Sequence, residues 1–175
     1  MTKTTETDAV VLERRFDAPA ELIWSLWTEP DHFREWYGPS GATIPVANMD
    51  VRVGGRRHVA MEMSTPAGPR RMWFVGEYRK VIPHQYLVYT EAISDERGNV
   101  LTPEDAGLPT GRPVVTEGRV ELREQDGVTT MTVTHAGVPA DSPGAAGWEM
   151  ALAKLETLVE EIVDAQRRPN RPANT

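Results

Sequence analysis

Four histidines and no cysteine limit the chemistry that this 175-residue chain can perform. Without cysteine there is no disulfide, no thiol nucleophile and no thiolate metal site. His32 and Glu35 lie three residues apart on a predicted short helix, a spacing at which two side chains can share a metal ion. The sequence places no third ligand, so we interpret the pair as a solvated polar face and predict no metal site.

His135 is the candidate for acid–base catalysis. It shares strand parity with Met131 and Val133, which predicts a ring that faces the interior. The alternative is a core or rim histidine bonded to the backbone at the end of its strand. We favour this alternative because no partner carboxylate is fixed by spacing, and Glu77 and Glu91 qualify only if their strands present them inward. We therefore assign no catalytic residue and expect no cofactor.

The remaining polar motifs are interpreted as structural. Gly54-Gly55 is a turn signal that lacks the Lys-Ser/Thr of a phosphate loop. Asp50 is more typical of a side chain that anchors this turn than of a catalytic acid. A local group of basic residues is interpreted as solvated strand ends: Arg52, Arg56, Arg57 and His58.

Composition favours a single globular domain. The chain is 39% hydrophobic and carries a net charge of −7, which argues against a nucleic-acid partner. The N-terminus has no apolar leader-like region and no segment approaches a membrane span, so we expect no membrane partner and a cytoplasmic location. We predict a disordered N-terminus over 1–8, one domain over 9–168 and a disordered tail over 169–175.

The longest periodic segment predicts an amphipathic helix from Ser142 to Arg168. Its apolar residues recur at steps of four and three, which places them on one stripe. They are Trp148, Leu152, Leu155, Val159 and Ile162. We expect the half around Val159 and Ile162 to pack tightly, and the half around Trp148 and Leu152 to loosen into a pocket.

The rest of the chain predicts one strand, two short helices and about six further strands. The predicted strands cover 9–16, 43–53, 57–63, 71–82, 86–93, 114–124 and 128–135. Pro45 indicates an edge or a bulge, and Asp126-Gly127 indicates a hairpin. Alternation gives the sheet one dry face, which the sheet can bury by curling around the long helix while the short helices close one end. A cavity would then remain between helix and sheet, and the segment 95–113 would be a long loop or a lid.

A series of short motifs between residues 9 and 165 carries a family resemblance. They are Phe16-Asp17-Ala18-Pro19, Ile23-Trp24, Trp27, Pro30, Trp36-Tyr37-Gly38-Pro39, Asp50, Val53-Gly54-Gly55, Gly76-Glu77-Tyr78, Pro83, Leu87, Tyr89-Thr90, Thr130 to His135, Gly147-Trp148, Leu152 and Leu155. Their order and spacing resemble the START/pollen-allergen superfamily (SRPBCC), in the branch named after the activator of the 90-kDa heat-shock-protein ATPase. The resemblance implies an α+β helix-grip fold: a curved antiparallel sheet of about seven strands around a long C-terminal helix, with two short helices after the first strand.

The function expected from these features is the binding of an apolar or amphipathic small molecule between the C-terminal helix and the sheet, without catalysis. The predicted ligand-binding residues are Met61, Met63, Trp73, Tyr89, Val120, Met131, Val133, His135, Trp148 and Leu152. One alternative is a polyketide cyclase or dehydratase that uses His135 with a carboxylate. Another is a chaperone-interacting module, which needs an exposed apolar patch that the outward Thr, Arg and Glu residues do not provide. The sequence does not decide whether the protein forms a weak homodimer.

Overall fold

The computed structural model describes residues 9–107, 111 and 113–168. The tails for which we predict disorder, 1–8 and 169–175, lie outside the described residues. The strands are β1 (Ala9–Phe16), β2 (Thr43–Met49), β3 (Arg56–Thr65), β4 (Gly68–Ile82), β5 (Tyr86–Ser94), β6 (Val115–Gln125) and β7 (Val128–Ala136). The helices are α1 (Ala20–Thr28), α2 (Pro30–Phe33) and α3 (Pro143–Arg167).

The seven strands form one antiparallel sheet in the order β1-β7-β6-β5-β4-β3-β2. This architecture confirms the predicted α+β helix-grip fold. Pro45 lies on the edge strand β2, and the register of this strand shifts between Thr43 and Val46. The structure therefore contains both the edge and the bulge that the proline indicates. Asp126 and Gly127 have φ angles of 53° and 78°, as the predicted hairpin between β6 and β7 requires.

The concave face of the sheet supplies the dry surface for α3. On β7 the side chains of Thr129, Met131 and Val133 are buried, while the alternate residues are half-buried. The helix begins at Pro143, where the Ser142 side chain accepts a hydrogen bond from the Ala145 amide. Burial of its apolar stripe against the sheet then stabilises the helix. The buried stripe comprises Trp148, Ala151, Leu152, Leu155 and Val159.

The two short helices pack against one end of this interior. Trp27 of α1 donates a hydrogen bond from Nε1 to Sδ of Met131 over 3.3 Å, and its ring contacts that of Trp36 at a centroid distance of 4.7 Å. Trp36 in turn donates from Nε1 to the backbone carbonyl of Leu26 over 2.8 Å. Because each buried indole N–H has an acceptor, these large rings are held without an unsatisfied donor. No helix in the described part of the chain is long and apolar enough to cross a membrane.

Candidate ligand-binding cavity

A cavity of about 600 Å³ lies between the N-terminal half of α3, the concave face of the sheet and the segment that follows β5. The first three turns of α3 contribute small residues to its wall: Gly144, Gly147 and Ala151. Its apolar lining on the other sides includes Met61, Met63, Met72, Phe74, Ile93 and Leu101. This size and this lining are typical of sites for small organic molecules.

The ten residues predicted to bind ligand fall into two groups. Met61, Met63, His135 and Trp148 line the cavity. The other six lie elsewhere: Trp73, Tyr89, Val120, Met131, Val133 and Leu152.

The six residues away from the cavity are placed by two physical causes. Trp73 lies on the opposite face of the sheet, where its ring contacts that of His58 at a centroid distance of 4.8 Å. The other five lie on the concave face of the sheet or on α3, but in the packed core, where each is at most 2% exposed: Tyr89, Val120, Met131, Val133 and Leu152. Parity therefore predicts the face of a residue, whereas its position along the strand decides whether it meets the cavity.

The segment between β5 and β6 covers part of the cavity. Leu101, Pro103 and Ala106 contribute to the lining. At the start of the segment, the Asp95 carboxylate accepts hydrogen bonds from the backbone amides of Arg97 and Asn99 and from the Asn99 side chain, and these bonds hold the pKa of Asp95 below its usual range. The described part of this predicted loop or lid therefore begins with an ordered turn; residues 108–110 and 112 lie outside the described part.

His135 occupies the centre of a hydrogen-bond chain at the cavity wall. Trp148 Nε1 donates to Nδ1 of His135 over 2.9 Å, so Nδ1 must carry no proton. The protonated Nε2 can then donate to Thr116 Oγ1 at 2.7 Å, and the Thr116 hydroxyl donates to the Glu91 backbone carbonyl over 3.1 Å. Burial lowers the pKa of His135 and so favours the neutral ring, while the two hydrogen bonds select the tautomer protonated at Nε2.

This arrangement gives His135 a positioning role between α3 and the sheet. Both ring nitrogens are occupied, and neither bonds to a carboxylate among the described residues. Of the two glutamates considered as partners, Glu77 pairs with Arg79 at 3.0 Å on the partly exposed side of β4. Glu91 faces inward but directs its carboxylate to another residue.

Glu91 forms a buried ion pair that the sequence patterns do not predict. Its Oε2 accepts a hydrogen bond from Arg57 Nη1 over 3.0 Å and one from the Tyr37 hydroxyl over 3.2 Å. The Arg57 guanidinium carbon lies 4.3 Å from the centroid of the Tyr89 ring and 5.3 Å from that of Phe33. Arg57 is thus held by one carboxylate and by aromatic faces, where a cation is favoured.

The electrostatics of this cluster follow from burial. Desolvation raises the pKa of the Tyr37 phenol, and the neighbouring Glu91 carboxylate raises it further. Desolvation likewise raises the pKa of Tyr89. Both phenols are therefore neutral at physiological pH. The Tyr37 hydroxyl donates to Glu91, whereas the buried Tyr89 hydroxyl has no partner among the described residues.

The prediction that the basic group forms solvated strand ends is correct for Arg52 and Arg56, which are exposed, and wrong for Arg57 and His58, which are buried. A signal for Arg57 is present in the sequence. It lies two residues before Val59 and shares the parity of Val59 and Met61, both of which face inward.

The other candidate polar residues form exposed ion pairs and turn contacts. His32 contacts Glu29 at 3.0 Å on an exposed part of α2, and no group of three potential metal ligands occurs among the described residues. The Asp50 carboxylate pairs with Arg52 Nε at 2.8 Å beside the Gly54-Gly55 turn. An added Cβ at Gly55 would collide with the Asp50 backbone carbonyl, which explains the glycine at this position.

The fold and the sequence together define a member of the SRPBCC superfamily. The family described as activator of Hsp90 ATPase homolog 1-like protein matches residues 17–160, so the chain belongs to this family and the resemblance seen in the sequence is confirmed. No curated protein matches the chain.

Solved bacterial structures share the fold at low sequence identity. A protein from Chromobacterium violaceum is 24% identical, with a TM-score of 0.68, and the match covers 87% of this chain and 97% of that one. A protein from Nitrosomonas europaea is 21% identical, with a TM-score of 0.70 and coverage of 91% and 99%. An AHSA1 protein from Silicibacter pomeroyi is 19% identical, with a TM-score of 0.65 and coverage of 87% and 97%. At these identities the similarity establishes the fold only.

Proposed function

We propose that this protein binds an apolar or amphipathic small molecule in the cavity and performs no chemistry on it. The observation that carries the proposal is the cavity of about 600 Å³ beside α3, with a lining that is mainly methionine, aromatic and aliphatic side chains. Methionine and aromatic residues adapt to varied ligand shapes. Burial of ligand surface against them would supply most of the binding free energy.

The arrangement around His135 favours binding over the cyclase alternative. An acid–base catalyst needs a nitrogen that can exchange a proton with its substrate. Both nitrogens of His135 are engaged by Trp148 and Thr116, and these bonds tie α3 to β6 and β7. The histidine therefore fits a role in shaping the wall of the cavity.

The exposed surface favours the cavity over a chaperone-docking face. The exposed large hydrophobic residues in the described chain are scattered over several elements: Val11, Val53, Ile82, Val100, Val114, Val115 and Met150. Single exposed apolar residues are ordinary for a soluble domain, whereas a docking face needs a contiguous patch. We therefore place the function in the interior.

Methionine methyl NMR tests the proposal. With ¹³C-labelled methionine methyl groups and the neutral apolar fluorophore N-phenyl-1-naphthylamine as probe, we expect shifts at Met61, Met63 and Met72. Met131, in the packed core, and Met150, exposed on α3, serve as internal controls. Binding that shifts only the controls, or no binding, contradicts the proposal.

Gly147 allows a matched pair of variants. An added Cβ at Gly147 meets no atom within 4 Å, and the residue lines the cavity. Gly147→Phe should fill the cavity and abolish probe fluorescence, while Gly147→Ala should retain it. If Gly147→Phe is folded by circular dichroism and binds the probe as well as Gly147→Ala does, the probe binds elsewhere and the proposal fails.

A further inference from the structure

We infer that the ligand carries a hydrogen-bond donor, such as a hydroxyl group, and that Glu91 is the residue that receives it. This inference rests on the proposed function and specifies the chemical class of ligand for the same cavity. Glu91 is the charged residue in the described lining, and its side chain is 10% exposed. Its position on the inner face of β5, next to Tyr89 and opposite the first turns of α3, puts a hydrogen-bonding group among apolar ones.

The two carboxylate oxygens of Glu91 have different surroundings. Oε2 already accepts from Arg57 Nη1 and the Tyr37 hydroxyl. No described residue donates to Oε1. A carboxylate oxygen can accept two hydrogen bonds, so Oε1 has unused capacity toward a molecule in the cavity.

The polar side chains that share the cavity are poor donors, because most of their protons are already used. The Trp148 N–H donates a hydrogen bond to His135, the His135 N–H donates to Thr116, and the Thr116 hydroxyl donates to the Glu91 backbone carbonyl. The Tyr37 hydroxyl donates a hydrogen bond to the Glu91 carboxylate. Thr102 accepts from the Asp105 amide and keeps its own proton. The polar side chains of the described lining therefore accept hydrogen bonds more readily than they donate them.

This polarity selects among amphipathic molecules. A hydroxyl group on an apolar body can donate to Oε1 and leave no buried group unsatisfied. A fatty acid would place a second carboxylate beside Glu91, where like charges repel. The Arg57 guanidinium still has one nitrogen, Nη2, without a partner among the described residues. Arg57 does not remedy this repulsion, because it lies behind Glu91 and outside the lining, so we assign it as a positioning residue that holds the carboxylate in place.

Displacement of N-phenyl-1-naphthylamine by matched eight-carbon molecules tests the inference. At pH 8 we expect 1-octanol to displace the probe at a concentration at least about tenfold lower than octanoate, since a well-placed hydrogen bond and a like-charge contact each change affinity by about this factor. We also expect 1-octanol to bind more tightly than 1-methoxyoctane, which keeps the oxygen but lacks the donor. Equal or tighter binding of octanoate or of 1-methoxyoctane overturns the inference, while the proposed function stands if the probe still binds at the methionines.

Variants at the ion pair test the role of Glu91 itself. In Glu91→Gln, the preference for 1-octanol over octanoate should shrink or reverse, because the like charge is gone. In Arg57→Met/Glu91→Leu, which replaces both partners, 1-octanol should lose its advantage over 1-methoxyoctane. If either folded variant keeps the selectivity of the original chain, Glu91 is not the receiving group. The comparison of the three ligands on the unaltered chain decides the ligand class even where a variant fails to fold.

Discussion

The two halves of α3 face interior regions of opposite character. In the C-terminal half, Leu155 and Val159 are at most 3% exposed and pack directly against the core. In the N-terminal half, Gly144, Gly147 and Ala151 leave the space that the cavity occupies. One amphipathic helix thus contacts both regions, and the small residues of its N-terminal half leave a space that larger side chains would fill.

A buried ion pair forms the border between the cavity and the packed aromatic cluster next to it. Glu91 lines the cavity, whereas Arg57 lies behind it among Phe33, Tyr37 and Tyr89. The C-terminal half of α3 also lies beside a groove of about 500 Å³, which Val159 and Val163 line together with exposed charged residues such as Glu160 and Arg167. The charged residues of that groove contrast with the apolar wall of the cavity, and the proposed ligand site lies on the apolar side, at the N-terminal half of α3.

Removal of Arg57 is expected to have the largest effect on stability. Arg57→Met leaves the Glu91 carboxylate buried without its cation, which costs about 3–5 kcal/mol in the free energy of unfolding. Urea unfolding measures the loss. The double variant Arg57→Met/Glu91→Leu should recover most of it, because neither charge is then left alone. A loss below about 1 kcal/mol in the single variant would mean that Arg57 and Glu91 do not form a buried, mutually dependent pair, because such a small loss is typical of an exposed pair.

Gly118→Ala is expected to have a smaller effect at the same border. An added Cβ would lie 2.7 Å from the Tyr89 hydroxyl oxygen, so the Tyr89 ring would have to leave its place over β6. We expect a loss of about 1–3 kcal/mol in urea unfolding. Gly147→Ala is the matched control on the open side: it meets no neighbour and should instead gain up to roughly 1 kcal/mol from helix propensity. Equal effects at the two glycines would remove the distinction between packed and open regions.

The smallest expected effect is a pH dependence at the cavity wall. Burial lowers the pKa of His135 below its usual value of 6.5, so the folded state resists protonation that the unfolded chain accepts. The contribution of neutral His135 to stability is therefore complete above about pH 6.5 and declines as the pH falls toward the folded-state pKa. Glu91 opposes this lowering and Arg57 adds to it.

The measurement is the difference in unfolding free energy between pH 8 and pH 5.5. The original chain should lose more stability over this interval than His135→Asn, in which the other three histidines still titrate. If the two chains lose the same amount, His135 is not held neutral by its surroundings.

Much of the fold could be predicted from hydrophobic periodicity and from the residues that begin or end helices and strands. β1 has the predicted bounds, and α3 runs from Pro143 to Arg167 where Ser142 to Arg168 was expected. These elements are set by local signals, namely alternation, a capping serine and prolines at the ends. The edge and the bulge at Pro45 follow from the missing amide in the same way.

The site was less predictable because it depends on contacts between distant residues. Arg57 and Glu91 are 34 positions apart, and nothing local marks them as partners. Strand parity correctly placed Met61, Met63 and Val133 on the inner face. The two methionines line the cavity, whereas Val133 lies in the packed core. The extent of the cavity along a strand depends on which α3 side chains lie opposite that strand. This alignment of helix and sheet is a tertiary contact, so local sequence signals do not encode it.

The glycines in the first turns of α3 have a consequence for local motion. Gly144 and Gly147 lower helix propensity where one side of the helix has a cavity instead of a packed neighbour, so these turns should open more often than the turns around Leu155. Amide hydrogen exchange should therefore slow progressively from Ala145 toward Val159 along a single continuous helix. A molecule that fills the cavity would replace the missing neighbour and flatten this gradient, which makes the exchange profile of α3 a measure of occupancy.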